Sequence, residues 1–246
     1  MDMRIEKEVR SLSEGLNKLL TKYGVNPPPY ALEGRTLTIG GEKLPLFPWR
    51  NEPRFQEMKK LRLNGVLGNI CTIRAMRTAV KSETLREVLY REIDLCLWFA
   101  DRKLVNVFAV VNGSCANVIM RFEGNADVIL EAAATLPEGS EAVERHEIFT
   151  DHGVTLDQAI DTLLKQQSLY KFVEGQPAQA ITDTDFELYG LNPTEVALTR
   201  TVYGALCSQP DFAKAQAEDA YVRKVVDAVF ASAETQTVIS LEEGEA

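Results

Sequence analysis

Between residues 104 and 150, four short apolar stretches follow one another with only turn residues between them: LVNVFAVVN, ANVIMRFEG, DVILEAAAT and AVERHEIFT. Each is strand-sized, and connections this short favour antiparallel pairing. In the second stretch Val118, Met120 and Phe122 share one face, while Asn117, Ile119 and Arg121 share the other. One face of the resulting sheet is therefore a core face, and the other is mixed, either wet or an interface.

Helical patterns flank this block. PRFQEMKKLRLNG reads as a short helix closed by Gly65, and GNICTIRAMRTAV as a strand. Thr84, three residues before Glu87, forms a capping box that opens the helix LREVLYREIDLCLWFA. After the strands, Asn192, Pro193 and Glu195 start NPTEVALTRTVYGALCS. Val222, Val225, Val226, Val229 and Phe230 recur at helical spacing, and TQTVISL makes a last strand. The expected class is α+β: a mostly antiparallel, mixed open sheet with helices packed on one face.

At the amino end, Ile5, Val9, Leu12, Leu16, Leu19, Leu20 and Tyr23 form one helical stripe, ended by Gly24 and a run of prolines. A proline-rich connector follows, with a hairpin expected around Gly40-Gly41. The expected division is residues 1–52, helix plus connector, and residues 53–246, an α/β domain. The last residues, LEEGEA, are expected to fray.

Charge and composition exclude several functions. Thirty-six acidic against 27 basic residues, with no Lys/Arg block, give no electrostatic footing for nucleic acid or an anionic membrane. The longest apolar runs fall far short of the roughly 20 residues a bilayer span needs. The start, MDMRIEKEVR, has no signal-peptide core, so a cytoplasmic location is expected. Cys71, Cys96, Cys115 and Cys207 form no C-x-x-C pair and are expected to be reduced, mostly buried thiols. His146 shares strand parity with Glu144, and His152 follows Asp151, but no third ligand stands at a diagnostic spacing. No metal is expected.

Four strings in sequence order, PRFQEMKKLRLNGVLGNICTI, REIDLCLWF, NVIMRFEGNADVILEAAATLPEG and AYVRKVVDAVFASAETQTVISL, carry a resemblance. Together they resemble the carboxy-terminal domain of the glucose-fructose oxidoreductase, inositol dehydrogenase and MocA (Gfo/Idh/MocA) family. The resemblance implies an NAD(P)-dependent oxidoreductase background, acting mostly on sugars and polyols, in which a Rossmann domain precedes this one. It also implies that the second domain lines the substrate site and assembles through the open face of its sheet. RIEKEVRSLSEGLNKLLTKYGV resembles the end of the family's nucleotide domain, with Glu6 and Lys7 in place and Glu8 where proline is expected. On that likeness residues 1–52 include a remnant of a Rossmann domain.

The chemistry departs from the family. A nicotinamide dinucleotide is normally held by a glycine-rich turn between a strand and a helix, and the sequence has no G-x-G-x-x-G. Gly40-Gly41 and Gly65 to Gly68 have the wrong spacing and context. No cofactor is expected on the chain alone, and NAD(P) only if a partner supplies the Rossmann domain. The family's helix carries an Asp and, four residues on, a proton-transferring His, with the Lys of Glu-Lys-Pro nearby. The equivalent positions here are Glu87, Arg91 and Lys7, and Asp94 matches a following acidic residue. A guanidinium stays protonated, so Arg91 cannot take a proton from an alcohol.

Three readings of Glu87 and Arg91 stand side by side. They are capping partner and i,i+4 ion pair, or Arg91, Asp94, Arg74 and Arg77 border an anion or sugar pocket, or acid–base catalysis survives. The function expected first is a non-catalytic or accessory subunit, a homodimer or higher oligomer through the open sheet face. The alternatives are a subunit of a split NAD(P)-dependent sugar or polyol dehydrogenase with a Rossmann-domain partner, and a sugar-phosphate or other small-anion binding module.

Overall fold

The computed structural model describes residues 11–65, 67–157, 169–173, 175–181 and 187–241. The chain forms two compact units, Met1–Gln56 with Asp183–Ala220, and Glu57–Thr182 with Tyr221–Ala246.

In the first unit Ser11 is extended, and its side chain accepts from the Glu14 N–H, so α1 (Leu12–Lys22) begins one residue later. Leu16, Leu19 and Leu20 of the apolar stripe are buried on it; Ile5 and Val9, like Glu6, Lys7 and Glu8, lie outside the described residues. Three short strands, β1 (Tyr30–Glu33), β2 (Thr36–Ile39) and β3 (Glu42–Pro45), pair antiparallel. Gly40 and Gly41 take positive φ at the β2–β3 turn, where a side chain would be strained, so the expected hairpin is present. A 3-10 turn, Pro48–Asn51, follows. Pro193 opens α4 (Pro193–Cys207) behind an Asn192/Glu195 capping box. Leu16, Leu20, Leu37, Leu44, Leu46, Val202 and Leu206 form the core of this unit. The division expected at residue 53 placed α4 with the strands that follow; in the structure α4 packs on α1. Asn192→Ala removes the side-chain acceptor of the Glu195 N–H and leaves the backbone N–H of residue 192 on the Glu195 carboxylate, and urea unfolding is expected to register a loss of about 1 kcal/mol.

The second unit opens with the end of α2 (Pro53–Leu63) and is built on a nine-stranded mixed sheet. Its strands are β4 (Ile70–Val80), β5 (Leu104–Asn112), β6 (Cys115–Phe122), β7 (Ala126–Leu136), β8 (Val143–Thr150), β9 (Gly153–Leu156), β10 (Leu169–Val173), β11 (Gln179–Ile181) and β12 (Ile239–Ser240). The order across the sheet is β11-β10-β9-β8-β4-β7-β6-β5-β12. The short links pair β5, β6 and β7 antiparallel, as their lengths implied. The link from β7 to β8 does not make a hairpin, because β4 lies between them, parallel to β7 and antiparallel to β8.

Helix α3 (Leu85–Ala100) and the second half of α5 (Phe212–Thr235) belong to this unit. α3 packs on β4 and β7, whose inward Ala75, Ala79, Ala132 and Ala134 are buried and small enough to let a helix approach closely. Arg86 of α3 pairs with Asp227 of α5 at 2.5 Å. The edge strand β12 is short, and the Ala109 N–H of β5 is met instead by the Ser232 hydroxyl of α5 at 3.0 Å. The thiols depart from expectation: Cys96 is buried in α3, but Cys71, Cys115 and Cys207 are exposed. Cys115 falls on the outward side of an alternating strand, and Cys71 sits where the register of β4 shifts between Ile70 and Thr72, so an apolar neighbourhood in sequence did not mean an inward side chain.

The other face of the sheet carries its own pattern. Cross-strand register places Phe108 beside Ile119 and Ile119 beside Ile129, and Arg74 follows next to Ile129. Val110, Ile119 and Ile129 are 54%, 51% and 42% exposed. A bidentate Arg121–Asp127 pair, at 2.9 and 3.1 Å, and an Arg145–Glu147 pair at 2.6 Å flank this apolar row. Among the described residues, no helix is long and apolar enough to cross a membrane.

Candidate functional site

Helix α3 is buried nearly all round, and it takes Arg91, Glu92 and Asp94 into the interior with it. Its amino end explains Glu87. The Thr84 N–H donates to the Glu87 carboxylate at 2.8 Å, and the Glu87 N–H donates to the Thr84 hydroxyl at 3.2 Å. Glu87 is exposed and is the capping partner that the sequence implied.

Arg91 lies one turn further in, 8% exposed. It donates to Glu92 on its own helix and, at 3.3 Å, to Glu144 on β8. Glu144 also pairs with Arg77 on β4, its cross-strand neighbour, and Arg77 reaches Glu83 at 3.3 Å. On the other side of Glu92 stands His146 of β8, whose Nε2 lies 2.8 Å from Glu92 Oε2 and whose Nδ1 lies 2.6 Å from Asp157 Oδ2. Glu83, Arg77, Glu144, Arg91, Glu92, His146 and Asp157 thus form one line of alternating sign through the larger unit.

This line sets the charge states. Burial alone would push the Glu92 carboxyl upward, but Arg91, His146 and Arg77 outweigh it and hold its pKa at about 2. Burial lowers the pKa of Arg77, with Arg91 adding to the effect, and a guanidinium still remains charged. The His146 imidazole is pulled down by burial and lifted further by Asp157 and Glu92, so the net direction is up.

The sequence-predicted substrate set is not assembled. Arg91 and Arg77 meet at Glu144, where their charge is matched by carboxylates rather than offered to a ligand. Asp94 is fully buried. Arg74 is exposed on the opposite face of the sheet, 5.2 Å over the Phe149 ring, because it differs in strand parity from Arg77. Lys7, the remaining family-equivalent position, lies outside the described residues.

Sequence reasoning missed the His146, Glu92 and Asp157 cluster. One signal was available: a helix with apolar residues on every side cannot leave Arg91, Glu92 and Asp94 in water, so buried partners had to exist. The cluster does not make a metal centre. Its carboxylates stand at opposite nitrogens of one ring, so no single point is in ligand range of all three, and among the described residues no group of three ligands could hold an ion.

Nor do the described residues fit a dinucleotide pyrophosphate. The close glycines serve a β-hairpin and the turn from α2 to β4, rather than a strand-to-helix turn. A phosphate-binding helix end also needs free N–H groups and a positive field. Glu14, Glu87, Glu195 and Asp211 stand in or at the first turns of α1, α3, α4 and α5, and Glu87, Glu195 and Asp211 accept backbone N–H bonds there.

No model of a protein family and no curated protein sequence matches the chain. Solved structures do. An oxidoreductase domain protein from Kribbella flavida superposes with a TM-score of 0.61 at 17% identity, over 80% of this chain and 65% of that one. A levoglucosan dehydrogenase, solved with NADH and levoglucosan, gives 0.61 at 15% identity, over 80% and 65%. A myo-inositol 2-dehydrogenase from Lactobacillus plantarum gives 0.57 at 13% identity, over 80% and 64%. The chain spans less than two thirds of the length of each of these structures. The mixed sheet with α3 and α5 as its helices, in the order read from the strands, is the α+β fold of oxidoreductases of the Gfo/Idh/MocA type.

Proposed function

We propose that this chain is a non-catalytic, accessory subunit related to the sugar and polyol dehydrogenases of this fold, and that it assembles with a second copy through the open face of its sheet in the cytoplasm. The observation that carries the reading is Arg91. At the helix position where the family resemblance calls for a proton-transferring imidazole stands a guanidinium, and it is committed to Glu92 and Glu144. A permanent cation neutralised in this way can hold helix to sheet, and it cannot shuttle a proton. The row of half-buried Phe108 and exposed Val110, Ile119 and Ile129 between two ion pairs supports self-assembly, with an apolar centre and a polar rim.

Calorimetric titration with NADH and with NADPH tests the first half. No binding is expected up to about millimolar ligand, and a micromolar dissociation constant, about −8 kcal/mol, sinks the reading. Light scattering on a sizing column tests the second half: a dimer or larger species is expected, and a monomer at tens of micromolar chain excludes assembly through this face.

One observation favours a second reading, a subunit of a split dehydrogenase. The levoglucosan dehydrogenase structure holds NADH, and this chain spans 65% of its length, so a Rossmann-domain partner chain would supply NAD(P). Stoichiometric co-purification with such a partner, together with NAD(P)-dependent polyol oxidation by the mixture alone, is the outcome that replaces the first reading with the second. A sugar-phosphate pocket has less support, since the carboxylates beside Arg77 and Arg91 already match their charge.

A further inference from the structure

The His146 ring is shut between two carboxylates. Asp157 lies 2.6 Å from Nδ1 and Glu92 2.8 Å from Nε2, and the three side chains are 1% exposed or less. A neutral imidazole has one N–H and one lone pair, so it donates to one carboxylate and turns the lone pair on the other. An imidazolium donates to both. With a carboxylate at hydrogen-bond distance from each ring nitrogen, the neutral ring leaves one of them facing a lone pair, and the geometry favours the charged ring.

The ring also joins separate pieces of the unit. The His146 N–H donates to Asp157 Oδ1 at 2.7 Å, and the Asp157 N–H returns to the His146 carbonyl at 3.1 Å. Those bonds tie the residue after β9 to β8. Glu92 belongs to α3, so the imidazole carries the β8–β9 corner onto the helix.

Among the described residues, the charged and titratable groups near the ring come from α3, β4, β8 and the end of β9. α3 contributes Glu92, Arg91, Asp94 and the Cys96 thiol, which burial and the two carboxylates push up. β8 contributes Glu144, β4 contributes Arg77, and Asp157 follows β9. Cys96 stays a neutral thiol and the two arginines stay cations, leaving His146 as the group of this set whose ordinary range lies near neutrality.

We propose that one proton on His146 latches the β8–β9 corner to α3, and that the latch releases as the surroundings become alkaline. The imidazole pKa is raised above its ordinary 6.5 in the folded chain. The latch is therefore complete below the unfolded value and is lost as pH rises through the folded one. Within that window the latched state weakens tenfold for each pH unit, the weight of one proton.

The chain has two histidines, and His152 is exposed, so His152→Gln leaves a single imidazole whose ring nitrogens can be followed by 15N NMR. The His146 ring is expected to keep both protons to a higher pH than an ordinary histidine, whose midpoint is about 6.5. On raising the pH, loss of one ring proton and faster amide exchange over residues 143–157, corrected for base catalysis, are expected together. Asp157→Asn gives Nδ1 an amide donor, so a neutral ring suffices: its titration is expected to move down, and the corrected exchange to stay flat over the same interval. A His146 midpoint in His152→Gln at or below that of an ordinary histidine, or a deprotonation that leaves the exchange unchanged, overturns the proposal. If Asp157→Asn fails to fold, those two readouts decide it alone.

Discussion

Replacing His146 with alanine is expected to lower the free energy of unfolding by about 3–5 kcal/mol, the usual consequence of removing one partner from a buried charged group. Two effects combine. The Glu92 and Asp157 carboxylates lose the donor between them while remaining 1% exposed or less, and an imidazole-sized void opens under α3. The loss measures broken compensation rather than the net worth of the ion pairs, because burying all three groups was itself costly. Arg121→Ala on the open face is the matched comparison. It breaks a bidentate pair whose arginine is 54% exposed, and a change of only about 0–1 kcal/mol is expected. Urea unfolding of both variants checks the contrast, and a His146→Ala loss no larger than that of Arg121→Ala refutes the account of the buried line.

With the chain paired through its open face as proposed, the double substitution Ile119→Asp with Ile129→Asp is expected to dissociate the assembly. These residues are direct cross-strand neighbours near the middle of the exposed row, so a partner sheet would have to bury two adjacent carboxylates. Central apolar anchors are worth about 2 kcal/mol or more each in such contacts, so the dimer dissociation constant should rise by roughly a hundredfold or more. Both side chains point away from α3, and far-ultraviolet circular dichroism should keep its native form. Sedimentation velocity across a dilution series reads the outcome, and an unchanged assembly places the interface elsewhere.

These two expectations draw on different kinds of knowledge. The open face was readable beforehand, because strict alternation in residues 117–122 fixes which side chains share a side, whatever the strand pairs with. The capping boxes at Thr84/Glu87 and Asn192/Glu195 were equally legible, since each is a contact within four residues. The substrate set was not. Arg74 and Arg77 are close in sequence but lie on opposite faces of β4, and only the register of β4 against β8 brings Arg77 to Glu144. Cys115 failed for a related reason: an apolar neighbourhood in sequence gives no direction to a side chain on an alternating strand.

The sequence by itself determined the α+β class, the helix starts, the two-sided strands and a permanent cation at position 91. All of these are set by residue type and by contacts a few residues apart. The tertiary structure decided the insertion of β4 between β7 and β8, the packing of α4 on α1, and the line from Glu83 to Asp157. Those features join residues tens of positions apart. Their partners were chosen by which faces the sheet order brought together and by the need of every buried charge for an opposite one.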